Sequence, residues 1–221
     1  MEVSYDTQFV EKLCMLADEK HLPAGILGER EKKLDHGTMV PLFFVEQYWK
    51  NYQLVRIGLS GLPLIGHYEL GQCIQQAAEA LGKRVILIGS GDLSHRLKED
   101  GPYGYQAEGP LYDSRIMDVM GRGAFGELLE FQEGFCEKAG ECGHRSFTVM
   151  AGALDKMNLI PERLSYEGPF GVGYGICSYM VQGRNSERNF GEQYEEIHRR
   201  LLAEQRKKED AYVRLARKTI E

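Results

Sequence analysis

The stretch Val85–Arg96, which reads V-I-L-I-G-S-G-D-L-S-H-R, constrains the fold more than any other part of the chain. Its first half is an unbroken aliphatic and β-branched run, the composition of a strand buried on both faces of a parallel sheet. Its second half turns abruptly polar, with two glycines, two serines, an aspartate and a histidine from Gly89 to His95. In open α/β sheets, ligands bind beyond the carboxyl ends of the strands, where a loop of this kind emerges. Gly89 and Gly91 admit backbone angles that other residues resist, so Asp92, Ser94 and His95 can be aimed at one point. The competing reading is a polar loop that caps a strand and does nothing more. The histidine favours a site, because imidazole exchanges protons near neutral pH.

The flanking sequence agrees with an α/β chain. Leu54–Ser60 predicts a second strand and 65–81 an amphipathic helix ended by Gly82, which together with 85–89 make a strand–helix–strand crossover. His67, on that helix, reads as a surface residue. Tyr5–Lys20 predicts a helix with Phe9, Val10, Leu13 and Leu16 on one face and Asp6 as its cap. Further helices are expected at 112–121, 124–131 and 133–139, and strands at 164–167 and 174–181 with a glycine-rich bend between them. The expected fold is therefore α/β, a mostly parallel sheet with helices on both faces.

Composition excludes whole classes. A net charge of −6 with the signs intermixed argues against a nucleic-acid surface. No apolar run nears the roughly 20 residues of a membrane-spanning helix, and no signal-peptide pattern opens the chain. Five cysteines, odd in number and without C-x-x-C, suit a reduced, cytoplasmic protein better than a disulfide scaffold.

Two further motifs carry chemistry. L-D-H-G-T-M-V-P-L at 34–42 sets Asp35 and His36 at the entrance to an apolar helix. Either they are turn residues, with Thr38 as the cap, or His36 faces an anionic ligand at the helix N-terminus. E-C-G-H-R-S-F at 141–147 places three potential ligands, Glu141, Cys142 and His144, ahead of the helix Phe147–Leu154. That cluster reads either as a metal site or as a helix cap beside a buried thiol. Residues 98–110 are rich in Gly, Pro and Tyr and too long for a simple connection. Tyr103 and Tyr105 either wall a pocket for a planar ligand or pack on the surface.

These three motifs, in this order, resemble the class III extradiol ring-cleavage dioxygenases, and more closely the dioxygenase-like, Memo-like proteins of the AmmeMemoRadiSam system. The likeness runs from about residue 2 to residue 182, and the final A-Y-V-R-L-A-R-K-T-I-E resembles the opening helix of an AMMECR-type domain. It divides the chain into a dioxygenase-like domain at 1–183, a charged helical linker at 184–210 and the start of an AMMECR-type domain at 211–221. The family's H-P-P-like and S-P-H-like motifs, which supply two metal-binding histidines, have no counterpart here. The resemblance thus implies an N-terminally shortened domain whose first strands are missing.

The resemblance implies ferrous iron, or another divalent metal, held at Glu141 or Cys142. Ring-cleaving relatives use a carboxylate there and Memo-like proteins a cysteine. It implies His95 as the acid/base histidine, His36 as a pocket histidine and Asp92 as the group that orients His95. Asp35, Ser94, His144, Tyr103 and Tyr105 would then stand on the substrate side. The implied activity is iron-dependent oxidative cleavage of a catechol-type ring with O2, His95 taking up a proton and returning it as the ring opens. The alternative is a Memo-like metal- or partner-binding protein that works beside a radical SAM protein without ring cleavage. A metal-dependent hydrolase is the third reading, disfavoured because no second carboxylate cluster accompanies His95. The implied partners are a small aromatic substrate, O2, an AMMECR-type domain, a radical SAM protein and a second copy of the chain.

Overall fold

The computed structural model describes residues 2–25 and 33–220. Helix α1, Thr7–Glu19, begins where expected: the Asp6 carboxylate accepts the Phe9 N–H at 3.0 Å, and Phe9, Leu13 and Ala17 turn inward. Helix α2, His36–Val45, is capped by Asp35, whose Oδ1 accepts the Thr38 N–H at 2.8 Å. Thr38 is thus the residue being capped, because the longer Asp35 side chain reaches back to it. Helix α3, Leu64–Ala80, is followed by α4, Glu108–Arg122, a 3-10 run at Phe125–Glu130, and α5, Glu133–Ala139. Helix α6, His144–Ala153, leads into strands β1, Met157–Glu167, and β2, Tyr174–Arg184, and the chain closes with α7, Phe190–Lys208, and α8, Ala211–Ile220.

The centre of the molecule is the crossing of α3 and α6. A Cβ on Gly71 would lie 2.1 Å from the Val149 carbonyl oxygen, and one on Gly152 would lie 1.9 Å from that of Tyr68. Only glycine lets the two backbones meet this closely. One core gathers Tyr68, Tyr112, Ile116, Phe125, Leu128 and Phe147 around α4, the 3-10 run and α6. A second gathers Phe9, Leu13, Cys73, Ile74 and Val149 between α1, α3 and α6. Each such large side chain contributes about 1.5–3 kcal/mol by leaving water, so both cores depend on the glycine crossing that joins them.

The α/β class stands, but the sheet differs from expectation. The sheet among the described residues is the antiparallel hairpin of β1 and β2, and the single parallel pairing is the one-residue bridge between Tyr5 and Leu54. Neither Leu54–Ser60 nor Val85–Gly89 forms a strand. Val55, Ile57 and Leu87 press on the helices as strand residues would, yet Val85, Ile86 and Ile88 stay exposed, Ile86 at 89%. An aliphatic run shows that side chains seek a core; a strand also needs a neighbouring main chain to bond. His67 is a second correction. It is buried, with Nδ1 donating to the Pro63 carbonyl at 3.2 Å while Nε2 receives the Ser60 N–H at 3.4 Å. All five cysteines are free, and no described helix is long and apolar enough to cross a membrane.

Candidate functional site

The loop after Ile88 is held from three sides, and the holding decides which of its side chains face out. The Leu93 N–H donates to Gly173 O at 2.9 Å and the Gly173 N–H to Ser94 O at 2.8 Å, so the β1–β2 turn grips the loop like a short ladder. The Ser94 N–H donates to Asp113 Oδ1 on α4 at 2.7 Å, and Ser94 Oγ donates to Ala139 O at the end of α5 at 2.8 Å. Leu93 and Ser94 are thereby buried, and Asp92 and His95 are left on the outer side.

Cys142 arrives from the turn between α5 and α6. It is clasped to Asp92 in both directions: the Asp92 N–H points at Cys142 Sγ at 3.2 Å, and the Cys142 N–H donates to Asp92 O at 3.4 Å. The clasp depends on two more glycines. A Cβ on Gly91 would lie 2.3 Å from Gly143 Cα, and one on Gly143 would lie 2.4 Å from the Phe147 ring.

The result is a group of three donors. One carboxylate oxygen of Asp92, one ring nitrogen of His95 and Cys142 Sγ all lie within 4.8 Å of one another. His95 Nε2 is buried and stands 3.4 Å from Asp92 Oδ2, within ion-pair range but not aligned for a hydrogen bond. Leaving a buried polar atom without a hydrogen bond costs about 1–3 kcal/mol, so His95 Nε2 is available to a partner at this group. Tyr103 stacks on the His95 ring, centroids 5.1 Å apart and planes 24° off parallel, while remaining exposed on its other side. Burial pushes the Cys142 thiol above its ordinary range, aided by the Asp92 and Glu141 carboxylates and opposed by the main-chain bond at Asp92. A bound cation would reverse that bias, since a coordinating thiol is deprotonated.

The remaining sequence candidates divide. Glu141 is not among the three grouped donors; its Oε2 accepts the His144 N–H at 2.6 Å and closes the first turn of α6. Burial raises its carboxyl, against that hydrogen bond. His144 does not join the site. It is 1% exposed, with Nε2 donating to Leu128 O at 2.9 Å and Nδ1 accepting from Tyr112 at 3.1 Å, so both ring nitrogens are committed to the core. Ser94 is fully buried and likewise structural. Asp35 and His36 sit exposed at the start of α2, which reaches the loop through one tie, Ser90 Oγ donating to Gly37 O at 2.7 Å. Tyr105 is exposed and pairs its main chain with Leu97.

Asp113 is the residue that sequence reasoning missed. It is 1% exposed and carries Ser94 on one oxygen and the Tyr166 hydroxyl, at 2.8 Å, on the other. Its signal was present: an aspartate on the same helical face as Ile116, Met117 and Met120 must have buried partners. Hollows of about 540 Å³ along α7 and about 440 Å³ beside Asp155 are lined by none of the three donors.

Residues 1–177, which contain all three donors, match the family described as the catalytic LigB subunit of aromatic ring-opening dioxygenase. The chain belongs to that family. Protein CA_C1420 of Clostridium acetobutylicum is 34% identical over 227 residues, covering all of this chain and 48% of its own length. The 2-aminophenol 1,6-dioxygenase beta subunit of a Pseudomonas species is 24% identical over 197 residues, covering 81% of this chain and 64% of its own. The LigB-family chain thus spans about half to two thirds of these relatives.

Proposed function

We propose that this LigB-family chain carries a metal-dependent site of the aromatic ring-opening type, in which Cys142 and Asp92 hold a divalent ion and His95 handles the proton. The observation that carries the reading is the approach of Asp92, His95 and Cys142 to within 4.8 Å, with a buried His95 Nε2 that makes no hydrogen bond. A carboxylate and a thiolate, with the imidazole beside them left for proton transfer, suit a first-row divalent metal, ferrous iron being the candidate the family suggests. Such an ion, when bound, brings an aromatic diol or aminophenol and O2 together at open positions.

The chain's own residues do the rest. His95 accepts a proton from a ring hydroxyl at Nε2 and returns it as the ring opens, a role imidazole commonly fills in catalysis. Tyr103 keeps the imidazole from swinging outward by stacking on it, and its exposed side, with Tyr105, offers a wall for a planar ligand. His36 and Asp35 stand exposed at the start of α2, which the Ser90–Gly37 bond ties to the loop, and are the groups offered to the substrate's polar edge. Cys142 lies in the donor group and Glu141 does not, which favours the thiol as the metal-holding group.

That last point favours a second reading. A thiol in the donor group suits a Memo-like protein that binds metal or a partner without cleaving rings, in company with an AMMECR-type domain and a radical SAM protein. The two readings part in one experiment. The chain is loaded anaerobically with ferrous iron, its metal content is measured, and O2 uptake is followed with catechols and 2-aminophenol. Iron retention with O2 uptake supports ring opening. Iron retention with no uptake across the panel supports the second reading. Failure of wild type to retain iron, or unchanged retention in Cys142→Ala and Asp92→Ala, overturns the metal assignment.

A further inference from the structure

We propose that Asp113 is a positioning residue for His95, which it aims through the main chain of Ser94 without touching the imidazole. What the aim serves rests on the ring-opening reading; the aim itself rests on contacts alone. The His95 Nε2 makes no hydrogen bond, so the direction of the ring is set from behind, by the peptides on either side of it. Both are pinned. The peptide before His95 accepts the Gly173 N–H at Ser94 O, 2.8 Å away, and the peptide after it donates the Arg96 N–H to Ser94 Oγ at 2.9 Å. Two fixed planes leave the His95 Cβ one direction, and the Tyr103 stack then holds the ring.

Both pins run through Ser94, and Ser94 is itself placed by Asp113. Its N–H donates to Asp113 Oδ1 at 2.7 Å and its Oγ to Ala139 O at 2.8 Å. Gly173 and Ala139 contribute main chain, so Asp113 is the side chain outside the loop on which the aim turns. Two glycines make room for this anchor. A Cβ on Gly173 would lie 2.0 Å from Asp113 Oδ2, and one on Gly109 would lie 2.7 Å from Ser94 Oγ. Tyr166 locks the carboxylate from its other oxygen, the hydroxyl donating to Oδ2 at 2.8 Å. Burial raises the Asp113 carboxyl, opposed by the bonds from Ser94 and Tyr166 and then, through space, by His95.

The metal-holding pair is supported separately. Asp92 and Cys142 are clasped to each other where Gly91 meets Gly143, and the clasp is made without Asp113 or Tyr166. The loop thus has two supports, one for the metal pair and one for proton transfer, and the second passes through Asp113.

The test uses the full chain. A nuclear Overhauser contact between the His95 and Tyr103 rings reports the aim, and a cobalt(II) titration reports the metal pair. Asp113→Ala should lose the ring contact and keep its cobalt affinity. With catechol or 2-aminophenol its kcat should fall about 100-fold at unchanged KM, the penalty of a misplaced catalytic group. Asp113→Asn can still accept the Ser94 N–H and turn its amide towards the Tyr166 oxygen, and should restore both the contact and kcat. Where circular dichroism shows that Asp113→Ala does not fold, Tyr166→Phe takes its place and should weaken the ring contact at unchanged cobalt affinity. The proposal is overturned by absence of the ring contact in wild type, by its survival in folded Asp113→Ala or unchanged strength in Tyr166→Phe, by loss of cobalt affinity in step with it, or by Asp113→Asn behaving like Asp113→Ala. A wild type that opens no ring or binds no cobalt refutes the proposed function alone, since the ring contact still decides the positioning.

Discussion

Gly91→Ala is the sharpest perturbation of the candidate site, because it adds one methyl group where two loops touch through main chain alone. That methyl would meet Gly143 Cα at 2.3 Å, Gly143 N at 2.9 Å and Cys142 O at 3.0 Å, whereas ordinary contact begins at 3.4 Å. No flexible side chain stands there to swing aside, so the loops must part by about 1 Å, as overpacked backbones do. The 3.2 Å approach of the Asp92 N–H to Cys142 Sγ lengthens with them, and the three donors lose their common focus. Overpacking of this kind costs about 1–3 kcal/mol, a fall in Tm of roughly 2–12 °C for a chain of this size. Disturbed ligand orientation should weaken metal affinity by about 10- to 100-fold. A cobalt(II) titration, read through the thiolate-to-metal absorption band and paired with thermal denaturation, measures both effects. Gly61→Ala, where a Cβ meets nothing within 4 Å, is the control and should match wild type. Wild-type cobalt affinity and wild-type Tm in Gly91→Ala would refute the account of how Cys142 reaches Asp92.

Three other outcomes follow from the same geometry. His95→Phe should keep the metal and lose about 100- to 10,000-fold of any ring-opening turnover; metal release in this variant would show that His95 is a ligand. Burial lowers the His144 imidazole from 6.5 to about 4, so the neutral ring is the folded form and its stabilisation is complete above pH 6.5 and is lost as pH falls towards 4. By linkage, wild type should lose about 2 kcal/mol between about pH 7.5 and about pH 5 that His144→Gln does not lose, measured by urea unfolding; parallel losses in both proteins would remove His144 as the cause. Asp113→Ala strands the Ser94 N–H and the Tyr166 hydroxyl and should cost about 2–5 kcal/mol, with Asp113→Asn clearly milder; equal urea midpoints for the two variants would argue against the hydrogen bonds as the source of the loss.

Much of the site was legible in the order of three short motifs. Asp92, His95 and Cys142 could each be picked out by residue type, since a carboxylate, an imidazole and a thiol beside glycines at element ends have few other uses. The sequence could not separate Glu141 from Cys142, which are adjacent and equally suited to a metal. The folded chain distinguishes their surroundings, Cys142 standing beside Asp92 and His95 while the Glu141 carboxylate accepts the His144 N–H in the first turn of α6. His144 differs for the same reason: Cys142 two residues before it faces the candidate group, but its own ring is turned between Leu128 and Tyr112, on elements distant in the chain.

Helices were the part of the fold determined locally: α1 and α3 follow from apolar spacing and end signals that each segment carries within itself. Pairing of extended segments is not a local property. Val85–Ile88 has the composition of a buried strand, yet whether it is one depends on a second main chain lying beside it, and no pattern within the run specifies that neighbour. The same holds at the site. Residue types marked the candidates, and the meeting of Gly91 with Gly143 selected among them, because contact between distant backbones is settled only when the whole chain packs.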